Sequence, residues 1–190
     1  VAPSWGKKGL LETKGLELVK ILLDAGYHVT VRPHPMTIQK WPKIIKAIKN
    51  EFKDDTNFEM ESNVSSFESI YSTYGLISDW SGIAIEYAFV CERPVLYVDG
   101  HQKINNSSYH KISCKPLEIS IRNLIGKVIS VNELQSLPKI VESTYENIDH
   151  FKTRIQEVRS ETMFNLSQSG IKGAQEIVNI LREKKELDKN

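Results

Sequence analysis

The chain of 190 residues is 40% hydrophobic and 26% charged, a composition that allows one globular domain with a hydrophobic core. Its 25 Lys and Arg residues are balanced by 24 Asp and Glu residues, and the formal net charge of +1 excludes a strong overall attraction to nucleic acid or to an anionic membrane. Polar residues interrupt every apolar stretch well before ~20 residues, so we predict no transmembrane helix.

Strand and helix patterns alternate along the first half of the chain. Apolar residues recur at helical intervals over residues 10–25, with Gly26 as the stop signal, and residues 28–32 form a short β-rich run that ends at Pro33. The next predicted elements, in chain order, are a helix over 41–52, a strand over 57–60, a helix over 66–74 capped by Ser65 or Ser66, a strand end at 76–78, a helix over 83–90 and a buried strand over 94–98.

The second half of the chain has a weaker pattern. We predict a long loop over residues 99–116, a last strand over 126–130, and closing helices over 134–164 and 171–185. The alternation of strands and helices favours an α/β fold, namely a Rossmann-like parallel sheet with helices on both faces. Because no internal repeat or linker interrupts the pattern, we predict one domain over residues 1–190, with a closing helix and a polar tail over 165–190.

Cysteine and histidine usage predicts no metal centre. Cys91 and Cys114 are too few for a disulfide framework or a zinc cluster. Cys91 lies in an apolar helix pattern that is typical of a buried, reduced thiol, which suits the cytoplasm. The five histidines are scattered along the chain without a His-x-x-x-His pair.

Polar residues and glycines follow each predicted strand. In parallel α/β sheets, ligands bind beyond the carboxyl ends of the strands, so these residues mark the predicted binding edge. In strand order they are residues 3–9, 32–35, 61–63, 78–82 and 99–101.

The turn Ser-Asp-Trp-Ser-Gly at residues 78–82 is the sharpest of these elements. Ser81 is placed to cap the next helix, and Gly82 leaves its backbone N–H open to a ligand. A helix N-terminus carries about half a positive charge and is suited to a diphosphate. Glu86 lies ~6 Å further along the helix, on the face of Gly82, where it could accept hydrogen bonds from ribose hydroxyls. Taken alone, the same residues fit a plain helix cap and a solvated acid equally well.

The motif Arg-Pro-His-Pro at residues 32–35 is the second element. The two prolines are expected to fix the backbone around His34 and to keep it out of a helix. A rigidly held histidine at a strand end is a candidate general base or phosphate hydrogen-bond donor, and Arg32 could neutralise phosphate charge. In isolation, a structural turn with an exposed histidine is the simpler interpretation.

The first loop, over residues 4–9, has two glycines and two lysines before a helix but lacks the Gly-Lys-Ser/Thr ending of a Walker motif. Ser4, Trp5 and Gly6 are secondary candidates, with Trp5 as a cover for a donor or acceptor group. Its lysines fit simple solvated charges equally well. His101, at the end of the fifth strand, is a weaker candidate.

Several of these motifs occur in an order that resembles a known family. Ala-Pro-Ser-Trp, Arg-Pro-His-Pro and Ser-Asp-Trp-Ser-Gly, followed by Glu-Tyr-Ala at 86–88 and Arg-Pro-Val-Leu-Tyr at 93–97, resemble the CDP-glycerol glycerophosphotransferases. That family includes the poly(glycerol phosphate) polymerases and primases of teichoic acid synthesis. The resemblance covers residues 1–98 and, more loosely, the C-terminal helices.

The resemblance implies one half of a glycosyltransferase-B (GT-B) architecture. This chain would be the C-terminal, donor-binding domain, and the preceding domain would supply contacts to a lipid-linked or polymer acceptor. The first residues read like the end of a strand entering a loop, so we expect them to continue from a longer chain. The implied reaction transfers glycerol phosphate from CDP-glycerol to a hydroxyl group and releases CMP.

Individual residues match the family as follows. His34 matches its essential histidine, and Glu86 matches an acidic position in the helix after the phosphate-binding turn. The turn itself, Ser-Asp-Tyr-Ser-Ser in the family, is matched by Ser78, Asp79, Ser81 and Gly82. Trp80 replaces the Tyr and Gly82 replaces the second Ser, so this turn lacks one hydroxyl.

No cofactor is required by these residues, although Mg²⁺ could accompany the nucleotide, and we expect no nucleic acid partner. The lipid-linked acceptors of the family imply a cytoplasmic protein at the inner face of the bacterial membrane.

Two other functions fit the residues. A GT-B glycosyltransferase of surface polysaccharide synthesis would bind the diphosphate of a sugar nucleotide at the same edge. A non-catalytic nucleotide-binding module would keep the fold, and replacing His34 would then change nothing. We expect the isolated chain to be inactive, because the cleft of a two-domain transferase forms between its domains.

Overall fold

The computed structural model of the chain describes residues 1–63, 67–102, 106 and 108–187. Its strands are β1 (Val29–Val31), β2 (Phe58–Met60), β3 (Leu76–Ser78), β4 (Val95–Asp99) and β5 (Gly126–Ser130). Its α-helices are α1 (Leu10–Asp24), α2 (Pro35–Lys40), α3 (Pro42–Glu51), α4 (Glu68–Ser72), α5 (Ile83–Cys91), α6 (Leu117–Ser120), α7 (Leu137–Glu146), α8 (Ile148–Thr162) and α9 (Ser169–Leu187). The described residues also form 3-10 helices at Tyr109–Lys111 and Val131–Ser136.

The strands form two parallel sheets, β1–β2 and β3–β4–β5. The extended segment of residues 1–4 lies between them. Its Val1 amino group donates to the Thr30 carbonyl at 2.7 Å, and its Ala2 N–H donates to the Ile77 carbonyl at 3.0 Å. With this segment included, the order is β2, β1, segment, β3, β4, β5, which is the doubly wound order of Rossmann-like folds.

Helices cover both faces of this arrangement. On one face, side chains of α1, α3 and α7 form a continuous core with Leu96 and Val98 of β4. The neighbouring Val95 and Tyr97 are equally buried and alternate to the opposite face, where α5 contacts β3 and β4. The predicted α/β fold, a Rossmann-like parallel sheet with helices on both faces, is therefore confirmed.

The local predictions are mostly confirmed to within one or two residues. Helix α1 ends just before Gly26, and β5 occupies the predicted residues. His34 stays outside a helix, as expected, with φ −60° and ψ 141°. It is the N-cap of α2, a helix that begins at Pro35 and that the sequence did not predict. Proline fits that position because the first N–H of a helix has no intrahelical partner.

Other elements differ in length. Helix α4 is shorter than the predicted helix over 66–74, and its predicted caps, Ser65 and Ser66, lie outside the described residues. The predicted loop over 99–116 contains the 3-10 helix at Tyr109–Lys111. Cys91 is half-buried at the end of α5, and burial raises the pKa of its thiol, whereas Cys114 is exposed.

The chain divides into two compact units, Val1–Gln156 and Glu157–Asn190. The second unit contains the end of α8 and the whole of α9, which is the predicted last helix. Side chains over residues 163–184 are exposed. None of the helices in the described part of the chain combines the length and apolar character needed to span a bilayer. The assignment of residues 1–190 to one domain, with a closing helix and tail over 165–190, stays a prediction.

Gly126 opens β5 where the strand passes close to β4. A Cβ atom at this position would overlap the carbonyl oxygen of Val95 and lie 3.0 Å from its nitrogen. We expect Gly126→Ala to lower the free energy of unfolding by about 3 kcal/mol or more, because backbone of the paired strand must move. Urea unfolding followed by circular dichroism measures this change.

Gly173→Ala in α9 is the matched control, since nothing lies within 4 Å of a Cβ added there. We expect it to leave the unfolding midpoint of the first unit unchanged. Equal midpoints for wild type and Gly126→Ala would contradict the close approach of β5 to Val95.

Candidate functional site

A cavity of about 260 Å³ opens at the carboxyl ends of β3 and β4, beside the start of α1. Its lining includes Lys8, Lys14, Asp79, Trp80, Gly100 and His101. The two lysines give this cavity a cationic rim, and Lys14 also donates to Glu17 at 2.7 Å. Three of the predicted strand-end segments, namely residues 3–9, 78–82 and 99–101, therefore contribute to one opening.

Asp79 connects these segments. It is only 5% exposed, and its Oδ1 accepts the Ser4 N–H at 2.6 Å while its Oδ2 accepts the Leu10 N–H at 3.4 Å. Leu10 is the first residue of α1, so the carboxylate also satisfies one of the N-terminal N–H groups of that helix. Asp79 therefore holds the first loop and α1 against the end of β3.

Ser78 is fully buried, and its hydroxyl donates to the Ala2 carbonyl at 2.8 Å. This bond joins β3 to the segment of residues 1–4. The hydroxyl is used inside the sheet, so Ser78 supports the turn and does not present its side chain to the cavity.

The second half of the turn is open. Gly82 is the N-cap of α5, with φ −60° and ψ −29°, and no side chain caps the helix. The prediction that Ser81 caps α5 is wrong, because Ser81 precedes the N-cap and contributes only its carbonyl, which accepts the Ala84 N–H at 3.2 Å. Gly82 and Glu86 are exposed and Ser81 is half-buried, so this end of α5 is accessible to a ligand.

His34 has a defined role in the backbone. Its Nδ1 accepts the Met36 N–H at 3.1 Å as the N-cap of α2. A neutral imidazole that accepts at Nδ1 carries its proton on Nε2, and it acts there as a hydrogen-bond donor. While this cap is intact, the geometry therefore favours His34 as a hydrogen-bond donor to a phosphate over His34 as a general base.

Trp5 of the first loop contacts the rings of both His34 and Trp41. The Trp5 ring lies 6.0 Å from the His34 ring and 6.3 Å from the Trp41 ring, measured between centroids, and Lys40 Nζ lies 4.8 Å from the Trp5 centroid. Trp5 follows Ser4, whose N–H is bound by Asp79. The first loop therefore lies between the His34 motif and the turn after β3.

The turn within the first loop depends on Gly6. This residue has φ 155°, and its carbonyl accepts the Gly9 N–H at 2.8 Å. Side chains rarely tolerate such a backbone angle, so the sequence places a glycine there. Ser4 itself is buried.

Arg32 is buried and paired. Its Nη1 lies 3.2 and 3.1 Å from the two carboxylate oxygens of Glu61, and it also donates to Ser69 Oγ at 3.2 Å. The Phe67 ring centroid is 5.6 Å from its guanidinium carbon. Removing one partner of a buried ion pair is costly, so Arg32 has a structural role beside its predicted role toward phosphate.

Sequence reasoning missed Arg122. This residue lies between α6 and β5, is 5% exposed, and donates from Nη1 to Asp99 Oδ1 at 3.0 Å. Its guanidinium carbon lies 4.0 Å from the Trp80 ring centroid and 4.7 Å from that of Tyr97. A single arginine in a weakly patterned segment gives no local signal, and only the fold brings it to the turn after β3.

A larger cavity of about 580 Å³ lies elsewhere, near the amino ends of β1 and β3. Tyr27, Tyr74 and Tyr145 are among its lining residues, and none of the predicted site residues lines it. Within the part of the chain that the structure describes, no group of three or more His, Cys, Asp or Glu side chains is arranged to hold a metal ion.

Comparison of the chain with protein-family models, with curated proteins and with solved structures gives no match. The family resemblance therefore rests on the motifs and stays a proposal.

Asp79→Ala removes the acceptor of two backbone N–H groups. We expect it to lower the free energy of unfolding by about 2–4 kcal/mol, because buried donors that lose a charged acceptor keep their desolvation cost. Asp79→Asn, which keeps one acceptor oxygen, should lose less. Urea unfolding measures both variants. The control is Glu51→Ala, which removes an exposed carboxylate and should change the free energy of unfolding by less than about 0.5 kcal/mol. An equally small change in Asp79→Ala would contradict the bridging role of Asp79.

Proposed function

We propose that this chain is the donor-binding half of a GT-B transferase that moves glycerol phosphate from CDP-glycerol to a hydroxyl acceptor in cell-wall or capsule polymer synthesis. The observation that carries the proposal is the open N-terminus of α5, at Ser81 and Gly82, next to a cavity with a cationic rim at the carboxyl edge of the sheet. Rossmann-like folds bind nucleotides at this edge, where the strand order reverses.

The diphosphate of the donor fits this edge for electrostatic reasons. The N-terminus of α5 offers backbone N–H groups and a partial positive charge to an anion. Lys8, Lys14 and His101 surround the neighbouring cavity with further N–H donors. Glu86 is exposed on α5, and its carboxylate is the acceptor we assign to the ribose hydroxyls.

The proposed reaction is a substitution at the β-phosphorus. The acceptor oxygen forms the new bond, the bond from the β-phosphorus to the bridging oxygen breaks, and CMP leaves with both electrons of that bond. His34 donates its Nε2–H to a phosphoryl oxygen, which stabilises the charge that develops there. Its Nδ1 is occupied by the Met36 N–H, so the proton of the acceptor goes to another base or to water.

The remaining parts of the proposal lie beyond this chain. The preceding domain would bind a lipid-linked or polymer acceptor at the inner face of the bacterial membrane and complete the catalytic cleft. An accompanying Mg²⁺ would be bound by the diphosphate oxygens of the donor.

Calorimetric titration of the chain with CDP, CDP-glycerol, UDP and GDP tests the proposal. We expect cytidine-selective binding, with a Kd that rises at least about tenfold in the double variant Ser81→Ala, Glu86→Ala, because both side chains would contact the donor. The matched control, Glu142→Ala with Ser143→Ala, removes the same two side chains from exposed positions of α7.

A preference for UDP or GDP would contradict glycerol phosphate transfer and would support transfer of a sugar from a sugar nucleotide bound at the same edge. Absence of binding at millimolar ligand would contradict a donor site formed by this chain.

Gly82→Ser adds the hydroxyl that the family has at this position. No atom lies within 4 Å of a Cβ built on Gly82, so the structure has space for a serine side chain there. We expect the Kd for CDP-glycerol to fall by about two- to tenfold, the effect of one added hydrogen bond. Gly82→Ala, which adds the Cβ without the hydroxyl, is the control in the same titration. Equal affinities of the Ser and Ala variants would show that the added hydroxyl does not contact the donor.

A further inference from the structure

Arg122 joins the ends of two neighbouring strands. Its Nη1 pairs with Asp99, the last residue of β4, and its guanidinium stacks over the Trp80 ring in the turn after β3. Tyr97 of β4 lies at 4.7 Å from the same guanidinium carbon. Stacking of the planar guanidinium on the aromatic rings and its ion pair with Asp99 together restrict the orientation of Arg122.

The charge of Arg122 is only partly balanced. Its side chain is 7% exposed, whereas that of its partner Asp99 is 40% exposed and shares its charge with solvent. Arg122 Nε and Nη2, Trp80 Nε1 and Tyr97 Oη are buried atoms without a hydrogen-bond partner. Burial raises the pKa of Tyr97, so its phenol stays neutral and adds no negative charge.

An arrangement of this kind lowers the stability of the fold, and this cost calls for an explanation. Buried arginine N–H groups without acceptors keep their desolvation cost, and such groups in native proteins are few. Trp80 is the residue between Asp79, which holds the first loop, and Ser81, which precedes the open end of α5. Whatever fixes the Trp80 indole also fixes the backbone that leads into this helix end.

We propose that Arg122 is the positioning residue of the anion-binding edge. It holds Trp80 and the end of β4, sets the backbone of Ser81 and Gly82 for a diphosphate, and adds positive charge behind the turn. This role rests on the proposed function, because it assumes that a diphosphate binds at the N-terminus of α5. Arg122 acts through Trp80 and through its field, and it does not itself contact the ligand.

Two substitutions separate charge from shape. Arg122→Met keeps much of the side-chain volume but loses the charge and the N–H groups. Arg122→Lys keeps the charge but loses the planar face that stacks on Trp80. Arg182→Met, at an exposed position of α9, is the control for loss of one positive charge.

Two measurements on the 190-residue chain test the role. Calorimetric titration with inorganic pyrophosphate measures anion affinity, and the ¹H–¹⁵N indole signal of Trp80, assigned with Trp80→Phe, reports the position of the ring without any ligand. We expect a pyrophosphate Kd raised about tenfold in Arg122→Met and about threefold in Arg122→Lys, with wild-type affinity in Arg182→Met. The Trp80 indole signal should shift in both Arg122 variants.

The outcomes separate this inference from the function on which it rests. Wild-type pyrophosphate affinity in a folded Arg122→Met protein would overturn the positioning role while leaving the donor site intact. An unshifted Trp80 signal in both variants would overturn it as well. If the wild-type chain binds neither pyrophosphate nor CDP-glycerol, the proposed function fails first and the positioning role fails with it. Should Arg122→Met not fold, Arg122→Lys carries the same test.

Discussion

The hydrogen bonds that the Asp79 carboxylate accepts hold together the carboxyl edge of the sheet. A buried carboxylate is costly unless hydrogen bonds replace its water, and here the N–H groups of Ser4 and Leu10 do so. One of these donors belongs to the first loop and the other to the start of α1, whose partial positive charge stabilises the carboxylate further. Together with the bond from Ser78 to Ala2, this contact secures the segment that joins the two sheets. The contacts of Ser78 and Asp79 therefore fix both the segment at which the strand order reverses and the first loop beside the cavity.

This constraint divides the turn after β3 into two halves with different tasks. Ser78 and Asp79 are buried and bind backbone groups, whereas Ser81 and Gly82 are accessible and leave the start of α5 without a side-chain cap. A glycine N-cap gives up only about 0.3 kcal/mol of stability relative to a capping side chain, and it leaves the N–H groups of the first turn available to an anion. Trp80 separates the two halves, and its contact with Arg122 makes the open half depend on residues that precede β5.

The sequence predicted what depends on local periodicity. The apolar spacing of α1 and the β-rich run of β1 are local signals, and both elements lie within a residue of where the pattern puts them. Helix α2 was missed because proline was interpreted only as a breaker, although its missing N–H suits a first helical position. The structural roles of Ser78 and Asp79 depend on hydrogen bonds to the backbone of residues 2, 4 and 10. These residues are 69 to 76 positions away in the sequence, so no local pattern predicts the contacts. Arg122 was missed for the same reason, since its partners come from two other strand ends.

In the proposed function, recognition of the donor at this edge rests on charge more than on shape. Helix ends and lysines attract a diphosphate of any donor, so discrimination between donors must come from groups next to the phosphates. The two positions at which the turn departs from the resembled family, Trp80 and Gly82, are such groups. In the proposed site, the missing hydroxyl at Gly82 would cost a directional contact worth about 0.5–1.5 kcal/mol. The indole at Trp80 presents a larger surface, which Arg122 holds in place. Under the proposed function, donor preference depends on the Trp80 side chain, which Arg122 holds in place. We therefore expect substitution of Arg122 to alter donor selectivity even though Arg122 does not contact the ligand.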